Sequence, residues 1–300
     1  MKVTCLALLA LFGLCPAFAP AQVVKTDIQG EGFVGDLYCQ QNSTNRFGIL
    51  FLGGAEGGRP QSFLPEMFAA NGYPVVAPAY FKVKGLPDTL QMVPLAYFSN
   101  IIAWMQRDAR IPKGGIVLVG ASKGAELALL LASKNAGIKG VIALSPSSVV
   151  WDGIPREFWP PHPQSSWSED GKPVPFVPCD YSKGFAAGDP LAIYKFYQQS
   201  LAQKEAVEKA TIETEHIRGP ILLASGHDDQ LWPSEQMGDA ICARLRAKGF
   251  KYEYQHLKYQ DAGHTLNEYF MIGGTLEGNK RARIDLTAKM LEFLKGLNGG

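Results

Sequence analysis

Ile116-Val117-Leu118-Val119-Gly120-Ala121-Ser122-Lys123-Gly124-Ala125-Glu126-Leu127-Ala128-Leu129-Leu130 decides how the rest of the chain is read. Four apolar residues run into a glycine, and a helical pattern follows. Between them lies Gly120-x-Ser122-x-Gly124. A serine on a tight strand-to-helix turn holds strained backbone angles. Side chains at the flanking positions would clash, so glycines stand there. The helix then aims its free N–H groups and its positive dipole end at the same spot. With a strand before it and a helix after it, the pattern predicts a nucleophile elbow. Without them the same letters would mark an ordinary turn.

Outward from the elbow, strands alternate with helices. Phe47 to Leu52 is an apolar run suited to a buried parallel strand. Ser62 to Asn71 reads as a helix and Tyr73 to Tyr80 as a strand. Pro94 opens an amphipathic helix running to Arg107. Val141 to Ser145 and Ile221 to Ser225 are further strands, with a helix over Pro233 to Lys248. A last strand covers Lys251 to Lys258, and a helix over Arg281 to Leu297 closes the chain. The expected class is α/β: a mainly parallel sheet with helices on both faces. From about 147 to 214 the character changes to prolines and aromatics, including Trp151, Phe158, Trp159, Trp167, Phe176, Tyr181 and Phe185. A helix pattern over Pro190 to Ala210 ends this stretch, which reads as an excursion covering a pocket. The other reading is a packed structural loop. Val23 to Gln41 reads as irregular, with one strand at Gly35 to Cys39.

Two glycine-rich stretches imitate nucleotide motifs. Gly30 to Gly35 matches G-x-G-x-x-G but lacks the strand before it and the helix after it. Gly53-Gly54-Ala55-Glu56-Gly57-Gly58-Arg59-Pro60 nearly matches a P-loop. Arg59 and Pro60 stand where Lys and Ser or Thr would contact phosphate and magnesium. A glycine-rich loop directly after a strand can instead turn its N–H groups toward a developing oxyanion.

The 300 residues carry 29 Lys and Arg against 28 Asp and Glu, with no basic block, so nucleic acid is not an expected partner. Lys2, the apolar run from Leu6 to Phe18 and the small residues through Ala21 read as a signal peptide cut near Ala21. The run is too short to span a membrane, and an exported protein of residues 22–300, one hydrolase domain, is expected. Asn42-Ser43-Thr44 is formally a glycosylation acceptor. Cys39, Cys179 and Cys242 remain after cleavage, and Cys39 with Cys179 is the expected disulfide, Cys242 lying in a helix. No C-x-x-C or H-x-x-x-H occurs, so neither metal nor cofactor is expected.

A serine hydroxyl needs a base to take its proton, and the base needs an orienting acid. In elbow-bearing folds the chain order is Ser, then Asp or Glu, then His. Gly226-His227-Asp228-Asp229-Gln230-Leu231-Trp232-Pro233 follows one strand, and Asp261-Ala262-Gly263-His264 follows the next. His264 is the expected base, on a loop just past a strand. His256 lies mid-strand, while His162 and His216 fall in or near the excursion. The acid is Asp229 or Asp228. The Gly226-x-x-Asp229 spacing, which resembles a loop of many α/β-hydrolases, favours Asp229. Asp228 would then cap the next helix or bond within the loop. Oxyanion donors are expected at the N–H of Lys123 and, from the Gly53–Glu56 loop, of Ala55. The Lys123 side chain is expected to be exposed. Glu56, Trp151, Trp232 and His227 are candidate substrate contacts.

Several separated motifs resemble one family. Gly120-Ala121-Ser122-Lys123-Gly124-Ala125-Glu126-Leu127 is similar to the elbow of the acyl-CoA thioesterase and bile acid-CoA:amino acid N-acyltransferase family. So are Leu86-Pro87-Asp88-Thr89, Leu95-Ala96-Tyr97-Phe98, and Gly226 through Glu235. Asp261-Ala262-Gly263-His264 fits its histidine loop. The resemblance runs from about Phe47 to the carboxyl end and implies a dienelactone-hydrolase-like α/β-hydrolase fold. It implies acyl transfer from a thioester or ester through Ser122, an Asp of the 228–229 pair, and His264. Only Gln22 to Arg46 separates the leader from the first hydrolase strand, leaving no room for the family's immunoglobulin-like domain. In this family serine accompanies hydrolysis and cysteine accompanies transfer to amino acids, so Ser122 implies water as acceptor. The alternatives are an N-acyltransferase using an amine, and a hydrolase-like binding protein without turnover. The acyl group, the leaving group and the oligomeric state are not specified by the sequence.

Overall fold

Strands buried on both faces set the architecture. The computed structural model describes residues 22–29, 31–40, 45–154, 163–180 and 188–298. Two strands, β1 (Val23–Ile28) and β2 (Val34–Gln40), form a hairpin, followed by β3 (Gly48–Leu52), α1 (Leu64–Ala70) and β4 (Val75–Ala79). Then come β5 (Val93–Pro94), α2 (Leu95–Arg107), β6 (Ile116–Ala121), α3 (Lys123–Lys134) and β7 (Ile138–Leu144). The excursion holds β8 (Trp167–Glu169), β9 (Lys172–Pro173), α4 (Ala192–Ser200) and α5 (Lys204–Ala210). The chain closes with β10 (Ile221–Gly226), α6 (Ser234–Ala247), β11 (Tyr254–Tyr259) and α7 (Leu276–Asn298).

Eight strands pair in the order β1-β2-β4-β3-β6-β7-β10-β11. The first two pairings are antiparallel, and every pairing from β4 to β11 is parallel. Alternation sends successive residues to opposite faces. Leu50, Leu52, Ile116 and Leu118 pack with α2, α3 and α6. Ile49, Phe51, Val117 and Val119 pack with α1 and α7. Parallel strands covered on both sides read as continuous apolar runs, which is why β3, β6 and β10 stand out in the sequence. On α7 the residues Ala282, Leu286, Met290 and Leu294 recur every fourth position and face the sheet. Burying each such side chain contributes about 1.5–3 kcal/mol.

Three expectations need correction. Val23–Ile28 is a strand and not irregular: it pairs in full register with β2. Its middle is exposed, as an edge strand's is, so no apolar alternation announces it. The helix expected over 190–210 is two helices, broken at Leu201–Gln203, where the Gln203 side chain bonds the Pro178 carbonyl at 2.7 Å. The Cys39–Cys179 disulfide is absent, and all three described cysteines are free thiols. Cys39 lies on β2 against the core that α2 and α3 cover, whereas Cys179 is buried in the excursion beside Trp151 and Trp232.

β7 and β10 pair directly, so residues 145–220 leave the sheet and return to it. Trp167 of this stretch pairs with Val93, and Ser168 with Pro173, making a three-stranded satellite sheet of β5, β8 and β9. No helix among the described residues is long and apolar enough to cross a membrane. The leader residues 1–21, Gly30, Asn42-Ser43-Thr44, Phe158, Trp159, His162, Tyr181 and Phe185 lie outside the described residues.

Candidate active site

Ser122 stands between β6 and α3 with φ 56° and ψ −121°. L-residues rarely hold such angles, and that strain exposes the side chain at the turn. Its flanks must be glycine. A methyl on Gly120 would lie 2.0 Å from the Gly124 carbonyl oxygen, and one on Gly124 would lie 2.1 Å from that of Leu52. The Ser122 N–H bonds the Leu144 carbonyl at 2.9 Å, tying the elbow to the end of β7. The Ser122 carbonyl accepts from Ala125 and Glu126, while Lys123 and Gly124 occupy the first turn, whose N–H groups have no intrahelical acceptor.

The expected acid and base meet. His264 Nδ1 lies 2.9 Å from Asp229 Oδ2, and both side chains are almost fully buried. Asp229 is anchored by three further donors: the Leu231 N–H at 2.8 Å, the Trp232 N–H at 3.1 Å and the Ser234 hydroxyl at 2.6 Å. A carboxylate on Nδ1 leaves Nε2 as the ring's working nitrogen. Nε2 is buried and has no hydrogen-bond partner. Asp228 takes no part: its N–H bonds Ala262, and its side chain is half-buried outside the Asp229–His264 pair.

Residues with no recognisable motif hold the histidine. Ser145, at the end of β7 with φ 48°, donates its hydroxyl to the His264 carbonyl. Because the Ser122 N–H bonds the residue just before Ser145, the elbow and the histidine loop are fastened to one strand end. Asn279, fully buried on α7, accepts from the Gly263 N–H at 3.0 Å and donates to the Gly273 and Thr275 carbonyls. Trp232 meets the His264 ring edge-on at 5.7 Å. Ser145, Ser234 and Asn279 were missed by sequence reading. Each acts on backbone or on one oxygen, and ordinary Ser and Asn positions carry no spacing signal.

The Gly53–Glu56 loop faces the serine: a methyl on Gly54 would lie 3.4 Å from Ser122 Cβ. Tyr80 braces it from beneath, donating to the Gly53 carbonyl at 2.6 Å and approaching that of Gly54 at 3.0 Å. Burial, with the carboxylates of Glu56 and Glu126 nearby, pushes the Tyr80 hydroxyl well above its ordinary value, so it stays a donor. Glu56 folds back so that Oε1 accepts the Gly54 N–H at 3.1 Å. Ala55, the expected donor, is half-buried beside it.

Other expectations fare differently. His227 points outward, 54% exposed, and pairs with Glu235 at 3.1 Å, so it does not line the site. The Lys123 side chain is buried and not exposed. Its ammonium lies 2.7 Å from Glu126, whose other oxygen accepts the Trp167 indole N–H at 2.7 Å. An elbow lysine escapes burial's cost only because the helix carries a carboxylate three positions on. Burial raises the Glu126 carboxyl, with Lys123 pulling the other way. Trp151 is buried in the excursion's own cluster with Trp232 and Cys179.

Elsewhere among the described residues a serine, a histidine and an aspartate are hydrogen-bonded in series. Ser225 Oγ lies 2.7 Å from His256 Nε2, and His256 Nδ1 lies 3.0 Å from Asp239. Ser225 is fully buried within β10, with neither strained angles nor a helix N-terminus beside it, so this array pins β10, β11 and α6 together. Burial pushes the His256 imidazole below its ordinary value.

A model of the family described as "BAAT / Acyl-CoA thioester hydrolase C terminal" matches residues 93–272. Acyl-coenzyme A thioesterase 6 of Mus musculus is 28% identical over 269 residues, covering 84% of this chain and 60% of its own length. Acyl-coenzyme A thioesterase 1 of Homo sapiens is 26% identical, covering 94% of this chain and 68% of its own. The chain thus spans about 60–70% of these relatives. A putative dienelactone hydrolase of Klebsiella pneumoniae superposes with a TM-score of 0.55 at 15% identity, covering 91% of this chain and 98% of its own. An esterase of Pyrococcus furiosus does so with a TM-score of 0.54 at 14% identity, covering 93% and 92%. These likenesses show the α/β-hydrolase fold.

Proposed function

The chain belongs to the BAAT / acyl-CoA thioester hydrolase C-terminal family, and from that premise we propose that it is a serine hydrolase of acyl thioesters, acyl-CoA among them, or carboxylic esters. The observation that carries this reading is the buried Asp229–His264 pair, whose Nε2 is left without a partner. A strained serine stands at the end of β6, which β7 separates from β10.

Ser122 Oγ attacks the carbonyl carbon as His264 Nε2 takes its proton. Asp229 keeps the other ring nitrogen protonated and stabilises the imidazolium. The carbonyl oxygen, now anionic, accepts from the N–H groups of Lys123 and Ala55. Collapse expels the thiol or alcohol, which leaves with the proton from His264. Water then attacks the acyl-serine by the same route, giving the free acid and restoring Ser122. Hydrolysis is favoured over amide formation because the nucleophile is serine.

The test is hydrolysis of a short acyl thioester and a p-nitrophenyl ester, with a Ser122→Ala control. The variant is expected to lose about 10⁴-fold or more in kcat. A fluorophosphonate probe is expected to label the native protein and spare the variant. Equal rates in the two proteins would sink the reading. Absence of labelling on folded native protein would favour a binding protein instead.

A further inference from the structure

Glu56 sets a carboxylate beside the nucleophile. A methyl on Gly54 would lie 2.9 Å from Glu56 Oε2 and 3.4 Å from Ser122 Cβ, so acid and serine are neighbours across one glycine. The loop that carries the acid is braced. Glu56 Oε1 accepts the Gly54 N–H at 3.1 Å, and the Tyr80 hydroxyl donates to the Gly53 carbonyl at 2.6 Å. The second oxygen is unspent: among the described residues the Gly54 N–H is the one hydrogen-bond partner of the Glu56 carboxylate. Lys82 lies alongside, but its ammonium reaches the Glu56 backbone carbonyl, at 3.4 Å, and no cation among the described residues pairs with the carboxylate. Glu56 is also exposed, so a ligand has room to approach it. Alone, a carboxylate here works against the proposed chemistry. Negative charge develops on the carbonyl oxygen during attack, and a like charge close by raises the barrier. The placement makes sense when the substrate itself brings the acid a partner.

We propose that Glu56 is a substrate-recognition residue whose Oε2 accepts an N–H of the leaving thiol. The enzyme then takes thioesters of amide-bearing thiols, such as the cysteamine arm of acyl-CoA, in preference to plain thioesters and alkyl esters. This rests on the serine-hydrolase reading above and adds the class of leaving group. A carboxylate can only accept, so its ligand must donate. A saturated acyl chain offers no donor, and neither does a simple alcohol. In a cysteamine thioester the amide nitrogen stands two carbons beyond the sulfur, a reach that suits an acid set one glycine away from Ser122. Bonds to an ionised acceptor are the stronger kind, and this one offsets the acid's field as the oxyanion forms.

The experiment compares kcat/KM for three butanoyl thioesters. They are those of N-acetylcysteamine, of 2-acetoxyethanethiol, in which oxygen replaces the N–H, and of thiocholine, a cation without an N–H. Each value is divided by that thioester's own hydroxide-catalysed rate. The native protein is expected to favour the amide over the acetoxy thioester about tenfold, the worth of one hydrogen bond to a charged group. Glu56→Leu removes the acceptor and is expected to bring that ratio to about one. Glu56→Gln keeps a weaker, neutral acceptor and is expected to fall between. Each ratio is taken within one protein, so general damage to the loop cancels. A native ratio of one or less overturns the proposal, and so does a ratio that survives in Glu56→Leu. So does a thiocholine ester preferred to the amide by the native protein and not by Glu56→Leu, which would make Glu56 a receptor for cations. If one variant fails to fold, the other and the native ratio decide. If no thioester shows Ser122-dependent turnover, the hydrolase reading fails separately. The contact is then read from tryptophan fluorescence titrations with S-(2-oxopentyl)-N-acetylcysteamine, a thioether that cannot be hydrolysed, and its acetoxy counterpart. Tighter binding of the amide, lost in Glu56→Leu, is expected, and equal binding overturns the proposal.

Discussion

A carboxylate that orients a histidine must itself be held still, and Asp229 has four donors on its two oxygens. Its Oδ1 serves two loop N–H groups, and its Oδ2 is shared between Ser234 and His264. Asp229→Asn keeps the shape but puts an amide where an acceptor is needed, favouring the wrong imidazole tautomer. Its kcat is expected to fall about 10⁴-fold, whereas Asp228→Asn is expected to change it by less than about tenfold. Steady-state kinetics on one thioester checks both, and comparable losses would reassign the acid. The strained elbow at Ser122 and the Asp229–His264 contact were legible because each residue sits in a short pattern at a strand end. Ser145 and Asn279 were not. Their work is to hold the histidine loop by its backbone, and any hydroxyl or amide of suitable reach, brought there by tertiary packing, would do the same.

At the scale of elements, α3 does two jobs. Its first turn starts at the Ser122 elbow, and its flank carries the buried Lys123–Glu126 pair into contact with Trp167. Breaking such a pair from one side leaves an uncompensated charge at a cost of about 3–5 kcal/mol, whereas replacing both members by apolar groups can be neutral. Glu126→Gln is therefore expected to lower stability by about that amount. Lys123→Met with Glu126→Leu together should recover most of it, while the residue 123 N–H survives. Urea denaturation of the single and double variants checks the cycle, and additive losses would refute the coupling. The central strands and covering helices were readable in advance because burial on both faces leaves uninterrupted apolar runs. β1 was not, since an exposed edge strand needs only a partner. The break between α4 and α5 was hidden because Leu201–Gln203 contains neither glycine nor proline, and its one marker is tertiary, the Gln203 side chain bonding the Pro178 carbonyl.

Across the whole molecule, the amino-terminal hairpin reaches back to the glycine-rich loop after β3. Arg59, at the end of that loop, pairs with Asp27 on β1 and Asp36 on β2 and donates to the Gly35 carbonyl at 2.7 Å. Lys25 joins Asp36 at 3.1 Å. The Arg59 guanidinium is the main cause holding the Asp27 carboxyl below its ordinary value of 3.8. A lowered carboxylate contributes stability that is present above the ordinary value and lost as pH falls through the lowered one. Thermal melts from pH 6 down to about 2 should therefore show an acid-side fall that is shallower in Asp27→Asn. The contribution is small because Asp27 is exposed. Identical acid limbs would remove the hairpin's hold on the loop. Arg59→Ala extends the test: it is expected to lower kcat more than it raises KM, because the loop's N–H groups matter most as charge develops.

The Glu126–Trp167 bond has a consequence for redesign. It rivets the excursion to the helix that follows Ser122. A chimaera that imports another relative's 145–220 stretch without an indole donor at that point would leave one oxygen of a buried acid without its donor. Grafts made to alter selectivity should keep residue 167 as tryptophan or remove the acid and its lysine in the same step.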